Sequence, residues 1–115
     1  MKLEKIDDFV GCIDTDAVTI YNIKLTRVTG NWVMGTIGNH RFEAKVFREP
    51  SNYGLYTCRI SKLGIQKPDA KDWGFDNMDY RFDCGFDGAT DEGKELSRQL
   101  LRVFPKQAEK LIMEN

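Results

Sequence analysis

The segment from residue 32 to residue 47 leaves little choice about how this chain folds. WVMGTI and HRFEAKVF flank the dipeptide Gly38-Asn39. Both flanks alternate apolar and polar residues, which is the mark of a half-buried strand. Glycine at the first of two turn positions selects a type II′ hairpin turn, whose twist matches that of the strands it joins. The turn fixes a register that places Ile37 opposite His40, Gly35 opposite Phe42 and Val33 opposite Ala44. Cross-strand partners share a sheet face. Val33, Ile37, Phe42, Ala44 and Val46 therefore form an oily side, predicted to lie under a C-terminal helix. Trp32, Met34, Thr36, Arg41, Glu43, Lys45 and Phe47 form a second, wetter side.

Other elements follow from the same periodicities. Residues 3–13 carry Leu3, Ile6, Phe9, Val10 and Ile13 at helical spacing, predicting a short N-terminal helix that ends in the polar break Asp14-Thr15-Asp16. VTIYNIKLTRV over 18–28 is rich in β-branched residues and predicts a strand. A further strand is expected over 56–65, where Ile60 and Leu63 keep different phases. That change predicts a bulge or a bend near Ser61-Lys62. Residues 79–84 alternate again, with Tyr80, Phe82 and Cys84 on one side and Asp79, Arg81 and Asp83 on the other. Thr90 is an N-cap, Asp91 and Glu92 suit the first helical turn, and Leu96, Leu100, Leu101 and Phe104 form a buried stripe. Pro105 kinks this helix or opens another. The expectation is a single α+β domain: an antiparallel four- to five-stranded sheet packed against a C-terminal helix, with a short helix at the N-terminus.

Composition narrows the function classes. The 115 residues carry 17 basic and 18 acidic side chains, so the chain as a whole is not a strongly basic nucleic-acid binder. Cys12, Cys58 and Cys84 are odd in number and widely spaced, which fits a reducing, cytoplasmic compartment. With one histidine they make no zinc motif. No signal-peptide or membrane-spanning run is present. No glycine-rich phosphate loop occurs, and the acidic residues do not match a calcium loop. No cofactor and no metal are expected, and no enzymatic activity.

Acidic residues crowd one stretch. Asp69, Asp72, Asp76, Asp79, Asp83, Asp87, Asp91 and Glu92 are opposed there only by Lys71 and Arg81. Such a segment attracts cationic partners, with carboxylates standing in for phosphates. A second candidate surface is the wetter sheet side, where Arg41 and Lys45 share a face with Trp32. Aromatic rings between cations are how single strands of nucleic acid are held, although Glu43 sits among them. A third constellation, Asp83 and Asp87 with His40, has the residue types of a small hydrolase or nuclease if the three converge. His40 itself is otherwise a polar residue flanking a turn at the sheet margin. Arg27, Arg48, Arg59 and Lys62 are further basic residues on or beside the sheet.

The middle of the chain also carries a set of phrases. Trp32 and Gly35 are followed by Phe42-Glu43-Ala44-Lys45-Val46-Phe47, Glu49-Pro50-Ser51 and Tyr53-Gly54. Arg59-Ile60-Ser61-Lys62-Leu63 and Phe82-Asp83-Cys84-Gly85-Phe86-Asp87 come after. These resemble a family of small uncharacterised domains of phages and mobile elements in low-GC Gram-positive bacteria. Cys84 and Phe86 stand where that family's last motif has Arg and Trp. The resemblance implies a setting rather than a reaction. By analogy it suggests a non-enzymatic, protein-binding inhibitor of a host defence system, of anti-restriction or anti-CRISPR type. Its partner would be a host protein with a basic surface, bound through Asp69, Asp72, Asp76, Asp79, Asp83 and Asp87 or through the Trp32 face. A nucleic-acid-binding accessory protein is the alternative.

Overall fold

The computed structural model describes residues 1–71, 73–83 and 85–113, without the side chains of Phe75, Phe86, Asp87 and Met113. The predicted hairpin is its centre. Strand β4 (Trp32–Ile37) pairs antiparallel with β5 (His40–Val46), with Ile37 opposite His40 and Val33 opposite Ala44. Gly38 has a positive φ of 59° and Asn39 does not, the pattern of a type II′ turn. Around this pair, β3 (Ile23–Thr29), β6 (Ile60–Gln66), β7 (Met78–Asp83) and β8 (Phe86–Ala89) complete a six-stranded sheet in the order β3-β4-β5-β6-β7-β8. All five pairings are antiparallel. The bulge lies where the phase change places it: Lys45 faces Lys62 and Val46 faces Ile60, leaving Ser61 as the extra residue.

One side of the sheet is the core. Val33, Ile37, Phe42, Ala44, Val46, Ile60, Leu63, Ile65 and Tyr80 are all buried there. Helix α2 (Asp91–Val103) covers β6 and β7, contributing Leu100, Val103 and the following Phe104. Thr90 caps it as expected, its hydroxyl accepting from the Gly93 N–H at 3.0 Å. After Pro105 the chain turns into a short helix, α3 (Ala108–Met113). No helix among the described residues is long and apolar enough to cross a membrane.

The N-terminus differs from expectation. A short N-terminal helix is present, but residues 3–13 are not it. They form a two-stranded hairpin, β1 (Leu3–Asp7) and β2 (Gly11–Asp14), and the helix α1 (Thr15–Ile20) follows. The reason is local hydrogen bonding. The Asp7 carboxylate accepts from the Phe9 N–H at 3.0 Å and the Val10 N–H at 2.6 Å, closing a turn that competes with helix. Gly11 completes it at φ +79°. Asp14, expected to break structure, instead caps α1 by accepting from Asp16 and Ala17. The β-branched run at 18–20 is therefore helical, and β3 begins only at Ile23.

Arg59 ties these pieces together. It is 1% exposed and lies in the interior, not on the sheet surface. Its guanidinium donates to the carbonyls of Phe47 and Cys12, both at 2.8 Å, to that of Pro105 at 3.2 Å, and to that of Val10. The N-terminal hairpin, the end of β5 and the link between α2 and α3 thus meet on one side chain.

Candidate functional site

With its inner side sealed by α2, the sheet presents a second face built in rows by the strand register. One row runs Thr29, Trp32, Lys45, Lys62, Asp83 across β3 to β7. The next runs Arg27, Met34, Glu43, Gly64, Arg81, and a shorter third contains Lys24, Thr36 and Arg41. Among the described residues these rows hold six basic side chains and two acidic ones, although the whole chain has a formal charge of −1. Charge is therefore segregated, and the open sheet face is the cationic part of the molecule.

The connection between β6 and β7 crosses this face and lays Trp73 on it. Gly64 makes room: a Cβ there would sit 2.8 Å from Met78 Cε and 3.0 Å from Trp73 Cζ2. Any side chain at Gly64 would push the indole off the sheet. Trp73 remains 41% exposed. Beside it is a groove of about 180 Å3, with Trp32, Trp73 and Met78 as apolar walls and Glu43, Lys62, Arg81 and Asp83 as charged ones. Lys62 and Asp83 pair at 3.3 Å. A second depression of about 180 Å3 adjoins it, lined by Thr26, Met34, Arg41, Glu43 and again Trp73. The chain's two tryptophans both line the first groove.

Among the described residues, the expected acidic surface loses Asp79. Asp69 and Asp76 are exposed on the connection after β6. Asp83 lies in the cationic rows, paired with Lys62. Asp79 is buried and cannot meet a partner. A bulge inverts it: Ile65 faces Tyr80 and Gln66 faces Met78, so Asp79 has no opposite residue and turns inward. Asp72 and the Asp87 side chain lie outside the described residues. Reversing charge at Asp76 and at Asp79 should therefore differ sharply in thermal melts. Asp76→Lys is expected to change stability by less than about 0.5 kcal/mol. Asp79→Lys is expected to cost about 3 kcal/mol or more, because it buries a cation among groups arranged for an anion's neighbours.

Those neighbours form a second cluster. His40, which pairs with Ile37 on the inner side, is 2% exposed rather than marginal. Its Nδ1 donates to the Gln66 carbonyl at 2.8 Å and lies 3.5 Å from Asp79 Oδ2; its Nε2 lies 3.1 Å from Glu92 Oε1. Both ring contacts are hydrogen bonds only when each nitrogen carries a proton. Thr90 also donates to Asp79 Oδ1 at 3.3 Å, so the cluster fastens the start of α2 to the β4–β5 hairpin. The side chains of His40, Asp79 and Glu92 are close enough together to hold a divalent cation. Three donors fall short of the four of a closed structural zinc site. The trio Asp83, Asp87 and His40 does not assemble, since Asp83 and His40 occupy opposite faces of the sheet.

Cys12 is buried and Cys58 half-buried, and burial pushes both thiols up. Neither has the electropositive, exposed setting that makes a reactive thiolate.

Sequence reasoning placed Trp32, Arg41 and Lys45 on the open face but missed Trp73, Lys24 and Arg81 as its members. Lys24 and Arg81 are recoverable from register alone. Trp73 sits in an irregular connection with no periodicity, and the only cue is the glycine at position 64 that admits it.

A family model described as "Domain of unknown function (DUF7678)" matches residues 31–105, about two-thirds of the chain, and the chain belongs to that family. The matched span includes both tryptophans and the His40 cluster, and leaves out the N-terminal hairpin, α1 and α3. Neither a curated protein nor a solved structure matches the chain.

Proposed function

We propose that this member of the family is a non-enzymatic binding module whose working surface is the open, cationic face of the sheet. The observation behind the reading is segregation: six basic residues gather on one face of a chain that is acidic overall. Clustered charge of one sign raises the local concentration of an oppositely charged partner even when net charge opposes it. Exposed aromatic and apolar walls beside the cations supply contact area of the kind that anchors interfaces. The partner is accordingly anionic. The earlier expectation of a basic host protein held by the acidic segment has less support, because Asp79 is sealed in and Asp83 is already paired. Action by occlusion of a partner's surface, as an anti-defence inhibitor would need, requires no chemistry beyond such a face.

Chromatography tests this directly. With a sequence pI near 5.8, the protein at neutral pH should pass through a cation exchanger if net charge governs. A segregated face predicts retention on heparin at low salt and release as salt rises. Arg41→Glu with Lys45→Glu should abolish retention, whereas Asp76→Lys should not. Flow-through of the unaltered protein at low salt would contradict the proposal.

A further inference from the structure

We infer that the anionic partner is a single strand of nucleic acid, with its phosphates on the basic rows and a base lodged between Trp32 and Trp73. This deepens the cationic-face reading and rests on it. Three features select the ligand chemistry. First, the surplus of cations lies outside the groove. Its charged walls balance, Glu43 and Asp83 against Lys62 and Arg81, while Lys24, Arg27, Arg41 and Lys45 lie along the rows beside it. A charge-balanced groove gives the side chains of an acidic peptide no net attraction. A nucleic-acid strand carries its charge on the backbone and presents neutral, flat bases whose ring or amino N–H groups donate to carboxylates. Glu43 is an acceptor of that kind.

Second, the walls are aromatic. Stacking on tryptophan suits every base and needs no sequence readout. The groove between Trp32 and Trp73 and its neighbouring depression each enclose about 180 Å3 and share Trp73 and Glu43 as walls. Two successive bases can therefore each meet the same indole. Third, the face is a twisted sheet lying open in the plane, which suits an unstacked strand laid across it rather than a rigid duplex. Strand selection follows from base access, since paired bases keep their flat faces inside the stack.

Both tryptophans of the protein line the site, so intrinsic fluorescence reports on it without labels. The full chain is titrated at low salt with a short oligothymidylate, an oligouridylate, an abasic strand of the same length, a duplex and polyglutamate. Binding is followed by fluorescence and by anisotropy of end-labelled ligands. The inference predicts that either single strand binds, quenches tryptophan and loses affinity as salt rises. It predicts that the abasic strand binds about tenfold more weakly or worse. Trp73→Ala should weaken oligonucleotide binding about tenfold while leaving the abasic strand unaffected, and Trp73→Phe should restore most of the loss. Circular dichroism confirms that each variant is folded, and Trp32→Ala serves as the second variant.

Equal binding of abasic and complete strands would overturn the base site while leaving the cationic-face reading intact. So would a preference for duplex, or binding of polyglutamate in place of either strand. Failure of every anion to bind would overturn both.

Discussion

Replacing Arg59 with methionine is expected to lower the unfolding free energy by about 3–5 kcal/mol, the range seen when one partner of a buried charged network is removed. The volume is nearly kept, so cavity formation is not the cause. Four backbone carbonyls, those of Val10, Cys12, Phe47 and Pro105, lose their donor together. Each buried acceptor left unpaired costs about 1–3 kcal/mol, and partial relaxation keeps the total below the sum. Burial already works against the guanidinium, pushing its pKa down, yet the carbonyls hold it in place. Arg59→Lys should rescue little, because a point-like ammonium cannot reach four carbonyls on three separate segments. Urea denaturation of the two variants measures this, and the melting temperature should fall by roughly 10–20 °C. A loss under about 1 kcal/mol would show that the N-terminal hairpin and the α2–α3 link are held by something else.

Gly93→Ala is the second large effect, and its sign is the informative part. In an exposed helix, alanine in place of glycine stabilises by about 1 kcal/mol. Here the added Cβ would lie 1.9 Å from the Asp79 carbonyl oxygen and 2.6 Å from its carbon, both backbone atoms that cannot step aside. The first turn of α2 must then lift off β7. That loosens the Thr90 cap and the Glu92 contact to His40, both within this turn. A loss of roughly 2–4 kcal/mol is expected, as for overpacking where no flexible side chain can yield. A gain in thermal stability would mean that α2 does not approach β7 this closely.

The parts of the fold that were legible in the sequence are those where one residue type has one strong local preference. Gly38-Asn39 fixed the register of β4 and β5, the change of phase at Ser61 located a bulge, and Thr90 marked the start of α2. The misreadings have physical causes as specific. Leu3, Ile6, Val10 and Ile13 satisfy a helical period, but the Asp7 carboxylate closes a turn on Phe9 and Val10 before a helix can nucleate. Strand β8 is only four residues long, contains a glycine and adds to an edge already formed, so no alternation announces it. Asp79 belongs to an alternating run whose polar members face outward, and the bulge opposite Gln66 reverses that residue alone. The same reversal withdrew Asp79 from the acidic surface and created the cluster around His40. Long-range closure decides both outcomes, since the partners of Asp79 lie on β5 and at the start of α2.

The open face shows the same division. Its basic rows follow from pairing and were partly visible in Arg41, Lys45 and Trp32. The groove exists only because the connection after β6 folds back and sets Trp73 over Gly64.

The most direct test of that face is the pair of indole N–H signals in a nitrogen-15 spectrum of the protein during titration with oligothymidylate. The account predicts that both signals, from Trp32 and Trp73, shift early and together, accompanied by backbone signals of β4, β5 and β6. Indole signals that stay fixed while changes gather around Asp69 and Asp76, or nowhere, would contradict it.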